Sequence, residues 1–505
     1  RIVRVPDDIG ELAHSRSVVH LGVPDIPGLI VPFAHFDCVH NQNIAIHNRV
    51  AGTVPSPTAS GLEAMRLGTS VLKCSLPHTS PEELGHFAEK YGGAKKARYL
   101  SAVQQVLENG LSRRDSRVTM FIKCEKMDPS KVNPDPRAIQ FRDPKYCVVL
   151  ASYLKPIEEH LYALRVRHPL LSGTRLVAKG LNQVERASLL LRKMSRFSSP
   201  VVVSLDMSRF DKHVSKSQLQ LEHSVYLSCC NDPYFAELLS WQLCNKVFTR
   251  LGFKYEVEGR RMSGDMNTAL GNCVIMLAMC LGLMLPRSKI FDLLDDGDDC
   301  LLFLEESDLS SFLEIAQSYF LSCGHEVKVE NVARIPEEVV FCQSRPVLCS
   351  GGYKFVRDYR KVMGCALVGT RWLSVPPRIR FSYLAGLGEC EYVLNVGVPV
   401  LQSYAYALLR NSHNAEPRFD ASSGEYFRFV RESRLYRGLQ QRPSLDVTIE
   451  SRISFWRAFS VSLTEQLDYE AVLNRWDINV AGGYLSFETL DPVTWTCSRP
   501  QPESQ

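Results

Sequence analysis

The run FDLLDDGDDCLLFLEESD, residues 291–308, carries eight acidic side chains and no basic one. Its centre, LLDDGDDCLLF, is two short apolar stretches around a Gly-Asp turn, the pattern of a β-hairpin with buried strands. Adjacent carboxylates repel each other, and burial raises their pKa values further. A chain that folds this segment inward must bring positive charge to it. The rest must be large enough to do so: 505 residues, 45% hydrophobic and 23% charged, suit one multi-lobed enzyme or two to four ordinary domains.

A hard cation is one way to meet that demand. A calcium loop of the EF-hand type fails on spacing. Counting from Asp292 places Leu294 third and Phe303 twelfth, where a glutamate is required. Counting from Asp295 places Gly297 third and Cys300 at the glycine position. The strand-like VVVSLDMSRFDKH instead offers Asp206, ninety-two residues before Asp298, with Asp211 close behind. Asp206, Asp298 and Asp299 are the expected ligands of Mg2+ (Mn2+ as a substitute), which takes few carboxylates and keeps phosphate oxygens and water. Two such ions can hold the attacking and leaving oxygens of an in-line phosphoryl transfer.

Between these acids lies GRRMSGDMNTALGNC, Gly259–Cys273. Ser263-Gly264 reads as a flexible loop ahead of a buried apolar helix, on which Thr268 and Asn272 share a face. Singly, Asn267, Thr268 and Asn272 are ordinary cap or turn residues; between two acid clusters they suit recognition of a ribose. Upstream, FIKCEKMDPSKVNPDPRAIQFRDPKY sets Lys123, Lys126, Arg137 and Arg142 around a strand-like RAIQF, a clamp for polyphosphate charge. Net charge is only +4, yet residues 92–126 carry a local +5 and residues 161–199 a local +7. Basic surface in the first 200 residues points to a polyanion.

Elsewhere the expectations are plainer. The first fifty residues read as loops and short strands, and SPEELGHFAEKY as a helix starting near Ser80. VLQSYAYALLR and SFWRAFSVSLTEQL read as helices, and DPVTWTCSRPQPESQ as a frayed tail. Sixteen scattered cysteines without C-x-x-C spacing suit reduced, buried thiols in a cytosolic protein. The longest apolar run, Cys273 to Leu285, is thirteen residues, too short to span a bilayer. No secretory signal opens the chain, and Arg1 in place of Met suits a piece of a longer product.

Taken in order, SLDMSRFDKHVS, MSGDMNTALGNC and DDGDDCLLF resemble motifs A, B and C of viral RNA-directed RNA polymerases, nearest in wording to the tombusvirus family of the flavivirus-like supergroup. FIKCEK with PRAIQFR resembles motif F, GHEVKVE motif D and FCQSRPV motif E. YGGAKKARY resembles the fingers segment before motif F. The likeness covers about residues 85–360 and fades at both ends. It departs at Asp296, where that family usually has an uncharged residue, often Asn.

The resemblance implies an α+β right-hand polymerase. Fingers would occupy 1–173 and 214–258, the palm 174–213 and 259–365, and an α-rich thumb with a C-terminal tail 366–505. The implied activity is replication of a positive-strand viral genome by template-directed nucleotidyl transfer from NTPs. Asp206, Asp298 and Asp299 would be the catalytic metal ligands, and Lys328 the proton donor to pyrophosphate, with His325 its competitor. Lys123, Lys126 and Arg137 would grip the triphosphate; Asp211, Ser263, Thr268 and Asn272 would read the 2′-hydroxyl. Lys95, Lys96, Arg98, Gly264, Cys342 and Gln343 would contact template or nascent RNA. A viral membrane-anchoring replicase protein is the implied partner, and membrane-bound replication complexes in host cytoplasm the implied location. Two rivals share parts of this pattern. A reverse transcriptase would place a bulky residue where Asp211 stands, and a catalytically dead RNA-binding scaffold would not keep every metal acid.

Overall fold

The computed structural model describes residues 1–7, 14–131, 135–419, 446–482 and 484–486, and mixes helix with four β-sheets. The expected tail at 491–505 lies outside the described residues. One five-stranded sheet runs in the order β1 (Ile2–Arg4), β7 (Lys254–Glu258), β6 (Cys244–Thr249), β3 (Val118–Ile122), β4 (Ala138–Arg142). The central sheet is antiparallel: β10 (Val327–Ala333), β5 (Pro200–Met207), β9 (Asp299–Glu305), β8 (Asp292–Asp296). A hairpin of β11 (Ser344–Cys349) and β12 (Gly352–Arg357) follows it, and β13 (Val368–Gly369), β2 (Val18–His20) and β14 (Tyr484–Ser486) make a small third layer.

The two middle strands, β5 and β9, carry buried, largely apolar runs because both faces are covered. Alternation divides β5 between two cores. Val201, Val203, Leu205 and Met207 join the large cluster that contains the helix Thr268–Met284. Val202 points the other way, with Leu294, Leu301 and Phe303, onto Ala187, Leu190 and Met194 of the helix Gln183–Met194. Hairpin β8–β9 closes through Gly297-Asp298, with Asp296 opposite Asp299. Gly297 takes φ +86, which a glycine supplies at the first central position of a two-residue loop.

Four expectations change. The thirteen-residue apolar run is part of Thr268–Arg287, the one helix among the described residues long and apolar enough to cross a bilayer. It is the core helix, buried along most of its length. No α-helix starts at Ser80: Gly85 adopts φ +93, a 3-10 turn covers His86–Lys90, and the α-helix begins at Gly93. The first fifty residues include a helix, Val39–Ile46, among their extended segments. SFWRAFSVSLTEQL is two helices, Ile449–Phe459 and Leu463–Arg475, parted at Ser460 with φ +58. VLQSYAYALLR does form a helix, Leu401–Asn411, and all described cysteines are free thiols.

The core helix lies unusually close to the helix Ala59–Ser75. A Cβ on Gly68 would overlap the backbone of Ala278, and one on Gly282 the carbonyl of Ala64. Such overpacking costs about 1–3 kcal/mol. Gly68→Ala is therefore expected to lower the thermal midpoint measurably, whereas Gly351→Ala, in an exposed turn with open space around it, should leave it unchanged. Equal midpoints for the two variants in scanning fluorimetry would contradict this packing.

Candidate functional site

Three carboxylates meet where the central strands end. Asp206, the next-to-last residue of β5, stands directly opposite Asp299, the first residue of β9. Cross-strand partners share a face and lie close together. Asp298 occupies the turn beside them. Burial, then Asp298 and Asp206, pushes the Asp299 carboxyl up to about 7. Asp206 is raised by burial and by Glu330, and Asp298 by burial and by Asp206. Among the described residues none of the three takes an ion pair. Lys328 is the register partner of Asp206 on β10 and exposed, and it eases that carboxyl's rise.

The neighbouring acids are neutralised by the protein itself. Asp292 pairs with Lys193 at 2.8 Å, both wholly buried. Asp296 takes Lys179 at 2.5 Å and Arg186 at 2.8 Å, and the Cys342 thiol donates to it at 3.2 Å. Its carboxyl, though buried, is held down at about 2 by these cations, Lys179 foremost. Sequence reasoning missed Lys179 and Arg186; the unusual acid at 296 was the available signal.

Asp211 lies five residues past Asp206, where strand alternation would point it to the opposite face. The backbone turns instead. Arg209 adopts φ 45, ψ 53, and Phe210–His213 forms a single helical turn. Asp211 ends half-buried, its carboxyl raised by desolvation, with Asn272 donating to Oδ1 at 3.0 Å and Asp298 near enough to add to the rise. Asn272 comes from the core helix and in turn accepts from Arg261 Nε at 2.9 Å.

Ser263 and Thr268 do not join that pair. The Ser263 hydroxyl donates to the Ala138 carbonyl and accepts from the Gln140 amide, both at 3.0 Å. Thr268 bonds the Met262 carbonyl at 2.7 Å. Gly264 donates to the Gln140 carbonyl at 2.7 Å, and a Cβ there would lie 2.6 Å from that oxygen. The expected flexible loop is thus a segment bonded against β4, and its glycine is needed for the close approach.

A cavity of about 780 Å³ is lined among others by Lys123, Lys131, Arg137, Arg186, Cys342 and Gln343; none of the three carboxylates lines it. Lys131, which sequence reasoning missed, and Arg137 both act electrostatically on Asp206. Glu125 holds Lys123 at 2.9 Å and Arg137 at 3.3 Å, and Lys126 donates to the Cys365 carbonyl. Arg142 corrects an expectation. It is buried in a pair with Asp265 at 2.5 Å and bonds Asn245, so it cannot reach a ligand. His325 is another correction: it is fully buried against Gln218, Phe210 and His213, and burial lowers it to about 3. Cys342 and Gln343 form a tight turn between Phe341 and Ser344, both with positive φ. Lys95, Lys96 and Arg98 sit on the helix Gly93–Asn109, where Lys95 covers the Tyr91 ring and Lys96 pairs with Glu89.

Among the described residues no group of three or more His, Cys, Asp or Glu is placed to hold a metal ion by protein ligands alone. The donor set still fits a hard cation that uses few carboxylates and takes its other ligands from phosphate and water. Asp206, Asp298 and Asp299 are oxygen donors with no ion-pair partner among the described residues, and Asp299 is raised by burial and by the other two.

The family model for viral RNA dependent RNA polymerase matches residues 40–481. The RNA-directed RNA polymerase of Groundnut rosette virus is 34% identical over 430 residues, 84% of this chain and 50% of that protein. That of Oat chlorotic stunt virus is 35% identical over 439 residues, covering 82% and 57%, and that of Turnip crinkle virus 35% over 404, covering 77% and 50%. The chain spans about half the length of these relatives.

The carboxylate cluster has a pH signature. Asp299 has a folded pKa above its unfolded value, so its ionised form destabilises the fold fully above pH 7 and progressively less as pH falls toward 4. Buried His223, lowered to about 4, and His325 act in the opposite sense, so the total profile mixes both. The informative quantity is a difference. Without divalent cations, Asp299→Asn should melt higher than the parent at pH 8, and the gap should narrow through pH 5 and close by about pH 4. A gap independent of pH would refute the raised carboxyl.

Proposed function

Because the chain belongs to the viral RNA-dependent RNA polymerase family, we propose that it is the catalytic portion of a positive-strand virus replicase, adding nucleotides from NTPs to a growing RNA on an RNA template. The observation that carries this reading is the trio Asp206, Asp298 and Asp299, brought together without an ion-pair partner among the described residues, with Lys131 and Arg137 of the basic cavity acting on Asp206. The trio would hold two Mg2+ ions, with Asp206 and Asp298 as principal ligands. When bound, these ions supply Lewis acidity to the attacking 3′-hydroxyl and to the leaving pyrophosphate.

The chain's own residues do the rest. Lys123, Lys131 and Arg137 orient the triphosphate; Glu125 holds two of them in place and yields to phosphate oxygens. Asp211 and Asn272 read the 2′-hydroxyl, while Ser263, Gly264 and Thr268 shape the segment that carries them. Lys328, exposed and opposite Asp206, is placed to give a proton to pyrophosphate. Cys342 and Gln343, at the tip of their turn, brace the product's 3′ end. In this reading the central sheet is the palm, residues 1–173 and 214–258 are fingers, and the helices beyond 366 are the thumb. The membrane-anchoring replicase partner and the site at host cytoplasmic membranes rest on the family resemblance alone.

Primed incorporation of labelled NTP on an RNA template with Mg2+ tests the reaction. Asp206→Ala and Asp298→Asn should each lose several kcal/mol of transition-state stabilisation, a fall of roughly a hundredfold or more, in folded protein. Near-parent rates in either variant would overturn the assignment.

RNA affinity should also fall steeply with salt through counterion release. Neutralising Lys95, Lys96 and Arg98 together should flatten that slope in a filter-binding series. An unchanged slope would move the template path away from the helix Gly93–Asn109.

A further inference from the structure

Beneath the Asp211–Asn272 pair lies a polar cluster with no access to solvent. Arg261 is 1% exposed and Glu222 0%. The guanidinium forks onto Glu222, with Nη1 to Oε1 at 3.0 Å and Nη2 to Oε2, and its Nε reaches Asn272 Oδ1 at 2.9 Å. Glu222 Oε1 also accepts from Tyr226 at 2.6 Å and from Asn267 at 2.9 Å. Asn267 exchanges bonds with Gln242 at 2.9 and 3.1 Å. Burying a charge pair is costly, and removing one partner costs more still. Such a pair beside a ligand-facing amide calls for a reason.

Donor and acceptor chemistry supplies it. An arginine only donates, so the side of Asn272 that faces Arg261 must be its carbonyl oxygen. Its NH2 is then forced toward Asp211, where it donates to Oδ1 at 3.0 Å. Reversing the amide would set NH2 against guanidinium and carbonyl against carboxylate. Asp211 Oδ2 takes no hydrogen bond among the described residues and is left for a hydroxyl. The backbone adds a second tie, from the Arg261 amide to the Asp211 carbonyl at 2.8 Å. Gly271 fits the same arrangement: a Cβ there would overlap both Glu222 Oε1 and Arg261 Nη2.

We propose that Arg261, clamped by Glu222, is a positioning residue that sets the Asn272 amide and, through it, the oxygen Asp211 presents to the ribose, thereby setting discrimination between ribo- and deoxyribonucleotides. This rests on the reading of Asp211 and Asn272 given above. Neither Arg261 nor Glu222 touches the nucleotide.

The test is steady-state incorporation of ATP against dATP opposite uridine, with melting curves for every variant. Arg261→Met combined with Glu222→Gln removes both charges, and the glutamine carbonyl can still accept from Tyr226 and Asn267. The double variant should fold, raise KM for ATP more than for dATP, and narrow the preference roughly tenfold, part of what a hydroxyl-binding site can provide. Adding Asn272→Ala should narrow it no further, since both changes act on one network. If the double variant does not fold, Arg261→Lys keeps the charge but cannot hold Glu222 and Asn272 together, and the same narrowing is expected. A folded variant with the parent's ratio, while Asn272→Ala or Asp211→Asn narrows it, overturns the positioning role alone. If Asn272→Ala and Asp211→Asn also keep the ratio, the sugar-reading assignment falls, and this inference with it.

Discussion

Register decides where the charge goes. Because β5 and β9 pair so that Asp206 faces Asp299, and the hairpin turns at once through Asp298, three carboxylates are held together at the end of a buried sheet. The apolar strands set that register: slipping it by one residue would reverse which side chains enter each of the two cores. Repulsion among the acids is therefore imposed by hydrophobic packing, and the fold cannot relax it locally.

A second theme is that two arginines buried near the site sit in satisfied sets. Arg142 with Asp265 and Asn245 ties β4 to the segment before the core helix, and Arg261 with Glu222 ties that segment to the helix Lys216–Cys229. Each joins stretches of chain far apart in sequence. Replacing such sets by apolar groups is often neutral for stability, so their contribution here is orientation. They hold Asn272, Asp211 and the Ser263-Gly264 segment in one geometry before any ligand arrives.

Much of this was legible in the sequence, and for identifiable reasons. The β-branched run before Asp206, the two apolar runs around Gly297 and the unbroken apolar helix after Asn267 each carry a strong period or length signal. The bend that returns Asp211 to the site could be demanded on geometric grounds, and it falls at Arg209. What stayed hidden is partnership. Nothing in the local sequence separates Arg142, which is buried and structural, from Arg137, which lines the cavity. Glu222 sits in an unremarkable polar helix, and its role depends on Arg261, thirty-nine residues on. Ser263 and Thr268 have the right chemistry for a ribose but spend their hydroxyls on backbone carbonyls nearby. The helix expected at Ser80 failed because one left-handed glycine outweighed good end signals.

The acidic run that opened the question can now be sorted residue by residue. Asp292 and Asp296 have lysine and arginine partners; Glu306 and Asp308 pair outward with Arg334 and Lys289. Glu305 accepts the backbone amides of Ser198 and Ser199. Asp295, fully buried, has its carboxyl raised well above the usual range by desolvation and accepts the Gly297 amide. Six of the eight acids are thus accounted for without any ligand, and Asp298 and Asp299 remain. Asp206, brought in by β5, stands in the same condition. Charge compensation therefore separates structural acids from working ones more sharply than the motif does, because a carboxylate already paired has little left to offer a cation. The unusual Asp296 belongs to the first group. Its two basic partners and the Cys342 thiol turn an extra negative charge at the hairpin into a tie between that hairpin and the Phe341–Ser344 turn.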